Sequence, residues 1–160
     1  MFDFQPDPAQ PKPELYRDLV DAARALTADE PDGVANMANL AALIWQFVPR
    51  LNWAGFYRMV DGALVLGPFQ GKPACIRIAP GQGVCGAAAA SGQTQLVPDV
   101  HAFPGHIACD GASQSELVVP VFRNGAVIAV IDLDSPELNR FDTEDAAGIE
   151  ALAEAIAAVI

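Results

Sequence analysis

The sequence predicts an α+β domain, with a mostly antiparallel central sheet and the helices from both chain ends packed on one side of it. Three observations carry this reading. Apolar residues recur at helical spacing near both termini. The middle of the chain is made of short aromatic and β-branched runs. Two of those runs turn back on Asp61-Gly62 and Asn124-Gly125, pairs that suit tight hairpins.

Residues 1–13 hold four prolines and few apolar anchors, and are expected to form a flexible tail, leaving 14–160 as a single domain. From Glu14, the residues Tyr16, Leu19, Val20, Ala23 and Leu26 mark one face of a first helix, which breaks at Glu30-Pro31-Asp32-Gly33. Val34 to Phe47 repeats the pattern through Met37, Leu40, Ala41 and Ile44, and Pro49 ends it. Asn52–Val60 and Ala63–Leu66 form a hairpin, and Gly67–Pro73 is a loop. Ala74–Ile78 is a short strand holding Cys75. Val84–Ser91 is a small-residue helix holding Cys85, and Thr94–Val97 is a further strand. Leu117–Phe122 and Ala126–Leu133 form the second hairpin. Asp142 is a suitable N-cap for a last helix that buries Ile149, Leu152, Ile156 and Val159.

Composition narrows the function. At 160 residues the chain can bury a substantial core as one domain. A formal charge of −11 argues against nucleic acid and anionic membranes as partners. No apolar run reaches spanning length, and the N-terminus lacks the basic and apolar segments of a signal peptide. A cytoplasmic protein is expected. Three cysteines do not make a closed disulfide framework, and in the cytosol any disulfide is transient and chemical.

The stretch from Pro98 to Glu116 stands apart. It has little periodicity, yet it carries both histidines and Cys109. Phe103, Ile107 and Ala108 can anchor it, so it reads as an ordered loop over a pocket with Cys109 as its reactive atom. The alternative is that Cys109 is a small buried hydrophobe. The cysteines lie ten and twenty-four positions apart, without the short spacings of zinc sites, so no metal is expected. Thiol redox chemistry requires an exposed thiolate and a second thiol within reach. Cys75 and Cys109 border flexible Gly/Pro segments, whereas Cys85, followed by Gly86 and an alanine run, is the most buried of the three.

Asp132 and Asp134 close the wholly apolar run AVIAVI and point to one face. Glu116 opens the partner strand at the same end of the sheet. With a two-residue Asn124-Gly125 turn, Glu116 would lie opposite Leu133, on the wrong face. A three-residue loop, or an equivalent bulge near Pro120, would set it opposite Asp132 and gather three carboxylates. Such a cluster suits a bound cation, with one carboxyl kept protonated as an acid. Trp53 and Tyr57 share a strand face and either wall this pocket or serve as ordinary core aromatics.

The segments NWAGFY (52–57), LGPFQGKPAC (66–75), GVCG (83–86), PDVHAFPGHIACD (98–110), SELVVP (115–120) and DLDSP (132–136) together resemble the free methionine-(R)-sulfoxide reductases, which are stand-alone GAF-fold enzymes. The resemblance implies a GAF-like fold and a nucleophile at Cys109. It implies a resolving thiol at Cys75, and at Cys85 a third family cysteine that positions substrate or resolves in an alternative way. Glu116, Asp132 and Asp134 would bind substrate, beside an aromatic wall that includes Trp53. No cofactor would be bound, and a thioredoxin-like dithiol would regenerate the thiols. The rival class is a small-ligand-sensing GAF module without catalysis, which needs no paired thiols. Leu43, Trp45 and the apolar last turn are compatible with a homodimer through the terminal helices.

Overall fold

A computed structural model describes residues 4–7, 9–107 and 110–160. Among these residues, helices α1 (Lys12–Thr27) and α2 (Gly33–Phe47) precede strands β1 (Trp53–Val60), β2 (Ala63–Gly71) and β3 (Arg77–Ile78). Helix α3 (Gly83–Ser91), strand β4 (Gln95–Val97), strands β5 (Ser115–Arg123) and β6 (Ala126–Ser135) and helix α4 (Thr143–Ile156) follow. The strands form one antiparallel sheet in the order β3-β2-β1-β6-β5-β4. This is the expected α+β class.

The two faces of the sheet bury different cores. On one, α1, α2 and α4 cover Phe56, Leu117, Val119, Val121, Ile131 and Leu133, with Phe4 of the N-terminal segment packed at the margin. On the other, α3 and the connecting segments cover Trp53, Tyr57, Leu64, Val118 and Val130. Because β5 and β6 are covered on both faces, their sequences are continuously apolar rather than alternating. The chain ends supply the first layer because their helices are amphipathic and well capped. Asp32 accepts hydrogen bonds from the amides of Val34 and Ala35, and Asp142 forms a reciprocal capping box with Asp145.

Three local expectations need correction. Strand β2 runs through the segment expected to be a loop, to Gly71. It passes Gly67 and Pro68 by a register shift against Gly55–Tyr57. Gly55 permits this, since a side chain there would lie 2.4 Å from Phe69 Cβ. The strand expected over Ala74–Ile78 is paired only at Arg77 and Ile78, so Cys75 lies in the irregular segment before it. Leu43 is core rather than surface, leaving Trp45 exposed.

The β5–β6 hairpin has the decisive register. Asn124 and Gly125 both have positive φ, 52° and 78°, as a two-residue type I′ turn requires, and Phe122 and Arg123 pair with Val127 and Ala126. The register then shifts just beyond Pro120, with Val121 opposite Ala129, so that the extra residue is Ile128, on β6 rather than at Pro120 itself. Glu116 therefore pairs with Asp134 rather than Asp132. The parity is still the one that puts all three carboxylates on a single face.

Candidate active site

That face carries a continuous row across three strands: Trp53 of β1 is paired with Asp134 of β6, which is paired with Glu116 of β5. Asp132 lies one step along, between Gly55 and Val118. Because residue 55 is glycine, nothing projects from β1 beside Asp132, and Phe69 from β2 stacks on Trp53 instead, centroids 5.1 Å apart. Trp53 also stacks on Tyr57 at 5.9 Å. The indole N–H donates to the carbonyl of Lys72, and the Tyr57 hydroxyl donates to the carbonyl of Cys75. The aromatic wall thus consists of Trp53, Tyr57 and Phe69, and it holds the segment that carries Cys75.

The opposite wall comes from α3. Its small residues allow close approach to the sheet, and Cys85 on its first turn meets the carboxylates. Cys85 Sγ and one oxygen each of Glu116 and Asp132 lie within 4.8 Å of one another. Between these walls lies a small cleft, partly open to solvent. Trp53, Tyr57, Cys85, Glu116, Asp132 and Asp134 all line it, together with His106, Ile107, Asp110 and Ser113.

The electrostatics are those of a largely buried acidic pocket. Burial, then the carboxylates of Asp132 and Asp134, raises the Glu116 pKa well above the usual range. Asp134 is raised in the same way by burial and by Asp132. Asp132 is pushed up to about 7 by burial, against the lowering effect of its contacts with Cys85 and Glu116. Its Oδ1 is buried without a hydrogen-bond partner. Burial, then Asp132 and Glu116, likewise raises the Cys85 thiol and keeps it protonated. His106 Nε2 lies 4.0 Å from Glu116 Oε2, and burial, then His101, lowers its pKa.

These shifts carry a stability consequence. Between about pH 4 and pH 7 the folded protein holds protons that the unfolded chain has released, so stability falls as pH rises through that window. Asp132→Asn removes this penalty. In thermal melts the variant is expected to exceed the parent at pH 8 by at least about 2–4 °C, the shift produced by ~1 kcal/mol in a domain of this size. The difference should disappear near pH 4. A variant less stable than its parent at pH 8 would contradict the assignment of strain to this carboxyl.

The loop over the pocket is ordered on both sides of the cysteine it carries. Ala108 and Cys109, the expected nucleophile, lie outside the described residues. Before them, Asp99 caps a short 3-10 turn over Val100–Ala102, and His106 and Ile107 reach the cavity. After them, Asp110 is held from three directions. It accepts from the amide of Ala112, from Asn52 Nδ2 at 3.2 Å and from Lys72 Nζ at 3.2 Å, and these bonds lower its pKa. Asn52 also donates to Ser113 Oγ. Asn52, Phe69, Lys72, Asp110 and Ser113 were not singled out from the sequence. The signal available was their position inside or beside the motifs of the resemblance. Cys75 is in a disulfide and Cys85 is a free, buried thiol.

Residues 34–160 match the GAF domain family, and the chain is a GAF-domain protein. It is 50% identical to the free methionine-R-sulfoxide reductase of Escherichia coli, over 88% of this chain and 86% of the relative. Its fold superimposes with a TM-score of 0.92 on the Neisseria meningitidis free methionine-R-sulfoxide reductase in complex with its substrate, at 45% identity, covering 98% of this chain and 94% of that one. A putative GAF sensor protein from Burkholderia vietnamiensis is 57% identical, with a TM-score of 0.90 and 94% and 96% of the two chains covered. Within the GAF class, the chain belongs to the free methionine-(R)-sulfoxide reductase family.

Proposed function

We propose that this chain reduces free L-methionine-(R)-sulfoxide to methionine. The observation that carries the reading is the gathering of two buried carboxyls, Glu116 and Asp132, with the half-buried Asp134 beside an aromatic wall, Asp132 Oδ1 lacking any partner. An α-ammonium among Glu116, Asp132 and Asp134 supplies the missing positive charge, and Trp53 with Tyr57 flanks the apolar part of the substrate. The Cys109 thiolate attacks the sulfoxide sulfur, and one protonated carboxyl of the cluster gives its proton to the oxygen. The resulting hydroxyl passes from the substrate sulfur to the Cys109 sulfur as the bond between the two sulfurs breaks, so methionine leaves with its sulfur reduced by two electrons and Cys109, oxidised by two, remains as a sulfenic acid. Cys75 then displaces that hydroxyl as water to form a disulfide, which a thioredoxin-like dithiol reduces. The disulfide at Cys75 supports a redox role for that residue. Cys85 positions substrate from α3.

Residues 14–160 act as one catalytic domain behind the Pro-rich tail, in the cytosol, where a disulfide is a catalytic state rather than a structural one. Among the described residues no helix is long and apolar enough to cross a membrane. A thiol count separates the readings. Adding one equivalent of free methionine sulfoxide to the reduced protein is expected to remove two thiols per chain and release one methionine. A ligand-sensing module would lose none, and a thiol peroxidase would lose them to hydrogen peroxide instead.

A further inference from the structure

The floor of the pocket contains more than an ammonium requires. A carboxylate trio would suffice for an organic cation, yet Cys85 contributes a sulfur within 4.8 Å of the Glu116 and Asp132 oxygens. The three donors come from α3, β5 and β6, positions 85, 116 and 132, which explains why sequence spacing gave no hint of them. Asp132 is 6% exposed and its Oδ1 has no hydrogen-bond partner. His106, on the loop above, brings Nε2 to 4.0 Å from Glu116 Oε2. Among the described residues the nearby lysine, Lys72, is turned outward to Asp110, with its side chain 70% exposed.

A thiol and two carboxyls supply three donors suited to a borderline-soft divalent cation. Bond lengths of about 2.3 Å to sulfur and 2.0–2.2 Å to oxygen require these donors to draw together from separations of up to 4.8 Å. We propose that Cys85, Glu116 and Asp132 form an inhibitory site for Zn²⁺ and similar divalent ions. Binding displaces the Cys85 proton and the proton held within the carboxyl cluster, leaving thiolate and carboxylates on the metal, with no change of oxidation state. The ion occupies the place given above to the substrate ammonium, so metal and amino acid exclude one another. In that respect the inference rests on the proposed substrate reading.

The test uses the Cys75→Ser/Cys109→Ser double variant, in which Cys85 is the remaining thiol of the three. Titration with Co²⁺ is expected to give a thiolate-to-cobalt charge-transfer band that saturates at one ion per chain and is reversed by Zn²⁺. Adding Cys85→Ser should abolish the band and weaken binding by more than the ~10–100-fold that loss of an outer-shell partner costs. Asp132→Asn should weaken it while leaving the thiol count unchanged. Free L-methionine should suppress the band in proportion to its own binding, measured separately by calorimetry. Absence of the band while methionine still binds would overturn the metal site and leave the substrate reading standing. A band unaffected by saturating methionine would overturn the shared-site claim. Failure of both ligands to bind would overturn the metal site and the ammonium reading together.

Discussion

Cys109→Ser is expected to abolish turnover of free methionine sulfoxide, by a factor of at least ~10⁴, the order of loss when a nucleophile is removed from a catalytic unit. A serine hydroxyl is not ionised near neutral pH and is a poor nucleophile toward sulfur. Cys85 is not expected to substitute. Cys85 is buried against carboxylates that hold it in the thiol form, and so it cannot present a thiolate to the sulfoxide. Cys75→Ser should behave differently. It should release one methionine per chain in a single turnover and stop with a sulfenic acid that dimedone traps and mass spectrometry locates on Cys109. The pair of variants separates nucleophile from resolving thiol. Multiple turnovers by the Cys109→Ser variant with a thioredoxin system would contradict the assignment.

Much of this architecture was legible because the elements announce themselves locally. The helices at both ends are amphipathic, Asp142 is a recognisable cap, and Asp61-Gly62 and Asn124-Gly125 suit tight turns. The face of Glu116 was not legible, and the reason is physical. Its side depends on one extra residue, Ile128, inside a run that is apolar throughout because both faces of the sheet are covered. With no polar residue to mark parity, a bulge there leaves no trace in the sequence. Strand β2 was lost at Gly67-Pro68 because the register shift that tolerates the proline depends on Gly55 in the neighbouring strand. Cys109 and the three carboxylates stood out in the sequence itself, from the aperiodic loop and the end of the apolar strand, and the motif likeness added their roles. The meeting of Cys85, Glu116 and Asp132 across α3, β5 and β6 could come only from the fold. Asn52, Lys72 and Asp110 were invisible for a related reason. Single polar residues at loop ends carry no periodicity, and their joint action appears only once β1, the end of β2 and the Cys109 loop converge.

The central claim is that the acidic pocket selects a free amino acid. A free substrate presents an α-ammonium, whereas a residue within a peptide presents a neutral amide with one N–H. Charge-assisted hydrogen bonds from the ammonium contribute roughly 1.5–3 kcal/mol each. Without them, Glu116, Asp132 and Asp134 must either remain protonated or repel one another in the cleft. A site built around a polar substrate group rejects an analogue lacking it by ~10⁴–10⁵. The loop over the cleft is expected to add a steric barrier to a polypeptide, since Asp110, which lines the cleft, is tied to Asn52 and Lys72. By the same reasoning, Glu116→Gln or Asp132→Asn should weaken use of the free substrate without creating activity on peptides. The most direct measurement is kcat/KM for free L-methionine-(R)-sulfoxide against its N-acetyl derivative, with a thioredoxin system in excess. The account predicts a preference of at least ~10⁴ for the free amino acid; equal efficiencies on the two would contradict it.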